Sequence, residues 1–101
     1  MITVERLIQH IRPDKWAELE AIDKKFNAIE SGLGFPPKKR YRCISGRDNT
    51  DTVIIERQWE SMAAMEAAYE KAFADPARQA LVAEIVSIVE SDQYELYMPL
   101  P

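Results

Sequence analysis

Only six residues, "GRDNTD" (46–51), separate two runs that read as β-strands, "KRYRCIS" (39–45) and "TVIIERQW" (52–59). Gly46, Asp48, Asn49 and Asp51 are residue types that tolerate tight turns. A connection this short has no room for a crossover, so the two strands must pair as an antiparallel hairpin. The hairpin lies mid-chain, and the segments on either side have to be built around it.

Before it, "ITVERLIQHI" (2–11) is short and rich in β-branched residues, which predicts a strand. Pro13 ends that strand and Asp14 can cap a following helix. Trp16, Leu19, Ile22, Phe26 and Ile29 then recur at intervals of three and four, the stripe of an amphipathic helix. "SGLGFPP" stops it, with Gly32 as a C-terminal signal and Pro36–Pro37 preventing a restart. After the hairpin, Ser61 is a natural N-cap for a second helix, with Met62, Met65, Tyr69, Ala72 and Phe73 as its stripe. Asp75–Pro76 is a cap followed by a proline suited to the first helical position, so the helix bends or restarts there. Leu81, Ile85, Ile88 and Val89 continue along one face, and "QYELYM" (93–98) predicts a last strand.

The order strand, helix, strand, strand, helix, strand is the βαββαβ pattern of ferredoxin-like domains. The expected fold class is therefore α+β, a four-stranded antiparallel sheet with its helices on one face, in one domain spanning 1–101. The other sheet face would carry Val, Ile, Leu and Tyr side chains in either register. A second copy is the simplest cover, so a homodimer is expected.

Composition removes several functions. The net charge of −4 argues against general nucleic-acid binding, which draws its affinity from basic charge. Cys43 is the single cysteine, so neither an intrachain disulfide nor a cysteine metal cluster can form. Glu5 and Arg6 interrupt the first apolar stretch, so it does not read as a signal peptide. No apolar run approaches the ~20 residues that span a bilayer. A cytoplasmic protein with no membrane partner is expected. There is no glycine-rich phosphate loop and no paired-histidine or Ser-His-Asp motif. His10 is the only histidine. No metal and no cofactor are expected.

"VIIERQWESMAAMEAAYEKAFADP" (53–76) resembles the strand–Trp–acid–Ser–helix–"DP" segment of the dimeric α+β barrel superfamily. That superfamily includes NIPSNAP-like proteins and antibiotic-biosynthesis-type monooxygenases. "ESDQYELYMPLP" (90–101) resembles the closing strand and proline-bearing end of NIPSNAP-like chains. The resemblance implies that the homodimer forms a dimeric α/β barrel and that Trp59 lines a cavity between the sheet and its own helices. Strand alternation puts Arg57 on the same side, and a neighbouring first strand would add Arg6 and His10. In haem-degrading relatives an axial histidine lies on the second helix. Here that helix has none, with Tyr69 near the place and Arg6 where those relatives have asparagine, so haem degradation is not expected. Two functions are consistent with the resemblance: a cofactor-free monooxygenase or isomerase, and a non-enzymatic NIPSNAP-like binding module. The fold alone does not choose between them.

The frame of the third strand is left open by its pattern. Val53, Ile55, Arg57 and Trp59 share one face and Thr52, Ile54, Glu56 and Gln58 the other. Either the first set packs on the helices throughout, or a β-bulge near Arg57 changes its side. Trp59 and Arg57 are the first candidates for holding a small aromatic or carboxylate ligand, by stacking and by the guanidinium. His10 is a natural base. "KKRYR" (38–42), with Tyr41 inside it, offers charge to an anion, although basic residues on an edge strand also block edge-to-edge aggregation. Glu5, Arg42 and Glu56 are expected to form ion pairs across the sheet. Cys43 is expected to be an inert thiol.

Overall fold

The computed structural model describes residues 1–101. Strand β1 (Thr3–Ile11) is followed by a 3-10 turn at Pro13–Lys15 and helix α1 (Trp16–Gly32). Strands β2 (Lys38–Arg42) and β3 (Thr52–Trp59) form the hairpin, then come helices α2 (Met62–Ala74) and α3 (Pro76–Ile85) and strand β4 (Val89–Tyr97). The sheet order is β2-β3-β1-β4 with every neighbour antiparallel. This is the ferredoxin-like α+β architecture read from the sequence. Strand β4 begins four residues before the expected start at Gln93, because Val89 is already paired with Ile11.

The caps act as their residue types require. The Ser61 side chain accepts from the Ala64 amide at 3.0 Å, and Asp75 accepts from the Arg78 amide at 2.9 Å. Proline at the start of α3 supplies no amide to the ladder of α2, so the chain restarts as a separate helix there. Helix α1 ends where the Leu33 and Phe35 amides both donate to the Glu30 carbonyl. Gly34 adopts φ +90°, a conformation that side chains disfavour, and this folds Phe35 back onto the domain.

The register resolves the frame of β3. Thr3 faces Trp59, Glu5 faces Arg57 and Leu7 faces Ile55 without interruption, so the odd-numbered residues of β1 and β3 point to the helices throughout. No bulge occurs near Arg57; the sheet's one register shift lies between His10 and Ile11, opposite β4. The core splits into two clusters. One gathers Ile11, Val53, Leu19, Ile22, Phe26 and Leu81 with Ile88 and Val89. The other gathers Phe35, Trp59, Met65, Ala68 and Ala72. The expected stripe of α2 is corrected here: Met62 and Phe73 are exposed, and the buried face is Met65, Ala68 and Ala72. The alanines let this helix approach the sheet end closely, which turns the bulkier residues outward.

Edge strand β2 is fastened to α1 by charge. Arg40 donates twice to Glu20, at 2.9 and 2.8 Å, and Lys38 reaches Asp23 at 2.5 Å. The Arg40 hydrogen bonds hold the Glu20 carboxyl below the usual carboxylate range. The cluster "KKRYR" thus divides by alternation: Lys38 and Arg40 serve the helix side, and Lys39 and Tyr41 the open side. No helix is long and apolar enough to cross a membrane.

Candidate functional site

Between the two core clusters the helix-facing side of the sheet leaves a cavity of about 120 Å³. That is room for a few waters or one small ring. Its apolar wall includes Leu7, Ile55, Phe26 and Ile22, while Val82 of α3 and Tyr94 of β4, both about half exposed, stand at its rim. Its polar wall is unusual for so small a domain, because Glu5, Glu30, Arg57 and Arg78 all line it and all are at most 8% exposed.

These four charges form two groups. Glu30 of α1 is shared by two guanidinium groups: Arg57 Nη2 of β3 donates to Oε1 at 2.8 Å, and Arg78 Nε of α3 donates to Oε2 at 3.0 Å. Arg57 Nε also donates to the Pro36 carbonyl at 3.3 Å, and its guanidinium lies 5.0 Å from the Phe35 ring centre. Glu5 of β1 has no cationic partner. It accepts from Trp59 Nε1 at 3.2 Å on one oxygen and from the Tyr69 hydroxyl on the other. Burial, then the bond to Glu5, pushes the Tyr69 hydroxyl well above its ordinary pKa, so it stays protonated and remains a donor. Phe35 packs edge-on against Trp59 and Tyr69, at 5.2 and 4.9 Å between ring centres, and fixes both donors.

Of the residues singled out from the sequence, Arg57 lines the cavity. Trp59 is 3% exposed and packed among Phe35, Met65, Ala68 and Ala72; it stands behind the wall and reaches the site through its indole N–H on Glu5. The expectation that Arg6 and His10 share its side is corrected by the register, since both are even-numbered and lie on the open sheet face. Arg6 pairs with Glu56 at 3.1 Å and lies over Tyr97. His10 is within hydrogen-bond distance of Ser91, at 2.9 Å, and of Asp48, at 3.3 Å. Tyr41 is half exposed on that same open face. The expected network of Glu5, Arg42 and Glu56 does not form, because Glu5 faces the helices and Glu56 faces away from them. Arg42 instead pairs with Asp51 at 3.4 Å and stacks 3.9 Å from the Trp16 ring centre. The Cys43 thiol donates to the Asp48 carbonyl.

Sequence reasoning missed Glu30, Arg78 and the helix-facing role of Glu5. One local signal was present. Glu30 falls four residues after Phe26 and Arg78 three before Leu81, so each puts a charge on an otherwise apolar helical stripe. No three histidine, cysteine, aspartate or glutamate side chains converge as a metal site requires.

At the level of sequence, no protein-family model matches the chain, and no curated protein matches it. Solved structures do. A NIPSNAP family protein from Agrobacterium tumefaciens superposes with a TM-score of 0.86 at 21% identity, covering 99% of this chain and 94% of the other. An uncharacterised NIPSNAP domain protein from Burkholderia xenovorans gives 0.83 at 20% identity, covering 97% and 94%. SnoaB, a cofactor-independent oxygenase from Streptomyces nogalater, gives 0.72 at 15% identity, covering 97% and 92%. Sequence order, sheet topology and these superpositions agree that the chain has the ferredoxin-like α+β fold of the NIPSNAP family structures.

Proposed function

We propose that this chain is a small-molecule-binding protein whose site is the cavity between sheet and helices, with Glu5 as the group available for proton transfer. The observation that carries this reading is a buried carboxylate on the cavity wall with neutral donors instead of a counter-cation. Such a group is positioned by Trp59 and Tyr69 and is not consumed by an ion pair. Cofactor-free enolisation, as in an isomerase or the first step of a cofactor-independent oxygenase, needs little beyond a base, a dry pocket and an oxygen-binding donor. The proton beside a carbonyl would pass to a Glu5 oxygen, and the electron pair would move to the carbonyl oxygen beside the arginines. SnoaB is a cofactor-independent oxygenase, which is in keeping with chemistry of this kind on the same fold.

A second reading, a non-enzymatic binding module of NIPSNAP-like type, is favoured by a specific feature: both Glu5 oxygens already accept a hydrogen bond. The two readings separate in deuterium oxide with cyclohexanone as probe. Enolisation predicts exchange of the protons beside the carbonyl above the buffer rate, lost by about a hundredfold or more in Glu5→Gln. Binding without exchange assigns the cavity to the module.

The same reading includes a homodimer. The open sheet face presents Val4, Ile54, Tyr41 and Tyr97 between charged pairs, and a second copy laid across it would close a barrel. Sedimentation at micromolar concentration is expected to give about twice the 11.6 kDa chain mass; a single species at the chain mass would refute the barrel.

A further inference from the structure

The cavity is polarised, and its polarity selects a ligand. Arg78 is nine-tenths buried, yet Nε is the one guanidinium nitrogen with a hydrogen-bond partner, on Glu30. Its two terminal nitrogens, four N–H groups in a planar fork, bond to no protein atom. The guanidinium sits about as far from the Phe26, Phe35 and Tyr69 rings, at 5.8, 5.9 and 6.0 Å from their centres. Those rings pack around it without satisfying its donors, and the terminal nitrogens are not fully enclosed, so an incoming group can reach the fork. Glu30 is shared with Arg57, so its single negative charge is divided between two cations. A buried guanidinium left in that condition is costly unless another anion meets it. Lys38 does not offer a competing anion site, because Asp23 already holds it at 2.5 Å.

Glu5 supplies the opposite pole. Each of its oxygens has accepted one bond, and a carboxylate has capacity for about four. The remaining lone pairs on the cavity side welcome a donor and repel a second anion. Tyr69 links the poles: its hydroxyl bonds Glu5 while its ring borders Arg78.

Resting on the cavity reading above, we propose that the ligand is a small cyclic or aromatic hydroxycarboxylate. Its carboxylate lies on the Arg78 fork, its hydroxyl donates to Glu5, and its body lies against Leu7, Phe26 and Ile55. The paired fork geometry favours a carboxylate over a single-point anion. The cavity of about 120 Å³ limits the body to one ring.

The test uses the ¹⁵N-labelled full chain with three probes: 3-hydroxybenzoate, benzoate and benzyl alcohol. The indole N–H of Trp59 reports on Glu5 and the Nε–H of Arg78 reports on its own fork. The hydroxycarboxylate is expected to bind most tightly and to shift both resonances, benzoate to shift mainly Arg78, and benzyl alcohol to bind most weakly. Arg78→Gln is expected to weaken 3-hydroxybenzoate by roughly ten- to a hundredfold while leaving benzyl alcohol unchanged. Should that variant lose its folded spectrum, Arg78→Lys, which keeps the charge and loses the fork, is expected to weaken the hydroxycarboxylate severalfold. Benzyl alcohol binding as well as the two anions, or unchanged hydroxycarboxylate affinity in a folded Arg78 variant, would overturn the ligand class and leave the cavity standing. If no probe moves a cavity resonance, the cavity reading falls with it.

Discussion

Glu30→Ala is expected to lower the free energy of unfolding by about 3–5 kcal/mol, because it strands two guanidinium groups that have no other carboxylate. Both Glu30 oxygens are used, the Arg57, Arg78 and Glu30 side chains are 7–10% exposed, and water has little access to replace the lost partner. The loss is a large share of the 5–15 kcal/mol typical of a domain. Urea titration of the two proteins measures it directly. A loss under about 1 kcal/mol would show that solvent reaches the arginines and that the charges are not truly buried. Replacing the whole group at once, with Leu at 30 and Met at 57 and 78, is expected to be far less harmful than the single change, since no unpaired charge remains. That contrast separates the penalty for an orphaned cation from the worth of the cluster itself.

Trp59→Ala is expected to cost about 3–5 kcal/mol as well, by a different route. The indole fills the second core cluster against Phe35, Met65, Ala68 and Ala72, and its removal leaves a void that these neighbours cannot fill without shifting. Trp59→Phe keeps much of the packing and removes the N–H to Glu5, with an expected cost of about 1–3 kcal/mol. The indole is therefore a packing residue that also positions the cavity's carboxylate. In a Trp16→Phe background, where Trp59 is the only tryptophan and is excited selectively over the tyrosines, a ligand bound at Glu5 should alter its fluorescence through that hydrogen bond. An alanine variant as stable as the parent would contradict the packing seen here.

How much of this was legible beforehand depended on distance along the chain. The short connection expected at 46–51 forced the hairpin, and the strand predicted over 52–59 is the strand found, although its partner ends at Arg42, not Ser45, and lengthens the connection to 43–51. Ser61 and Asp75 mark helix starts because capping is chemistry among residues three apart. The stripe of α2 was misassigned because Met62 and Phe73 are as apolar as the residues buried. What decided was the small size of Ala68 and Ala72, which lets the helix close on the sheet. The site was mostly hidden. Its bonds join residues 27, 48, 54 and 64 positions apart, and periodicity within one element carries no information about such pairs. Arg57 stood out as a charge on an apolar strand face; its partner became visible only when α1 was laid against β3. The side on which Arg6 and His10 fall turned on a single register, and a shift of one residue would have reversed it.

Glu30, Arg57 and Arg78 belong to α1, β3 and α3, three separate pieces of the chain. Their arrangement restricts how a lineage carrying it can drift. Any one of the three exchanged alone for an apolar residue leaves a mismatched charge, so passable routes run through paired or triple exchange, or through swaps that preserve charge. Descendants of this domain should therefore inherit the three positions as a block, either all ionic or all apolar. The exposed residues around them, such as Val82 and Tyr94 at the cavity rim, are free to vary one at a time.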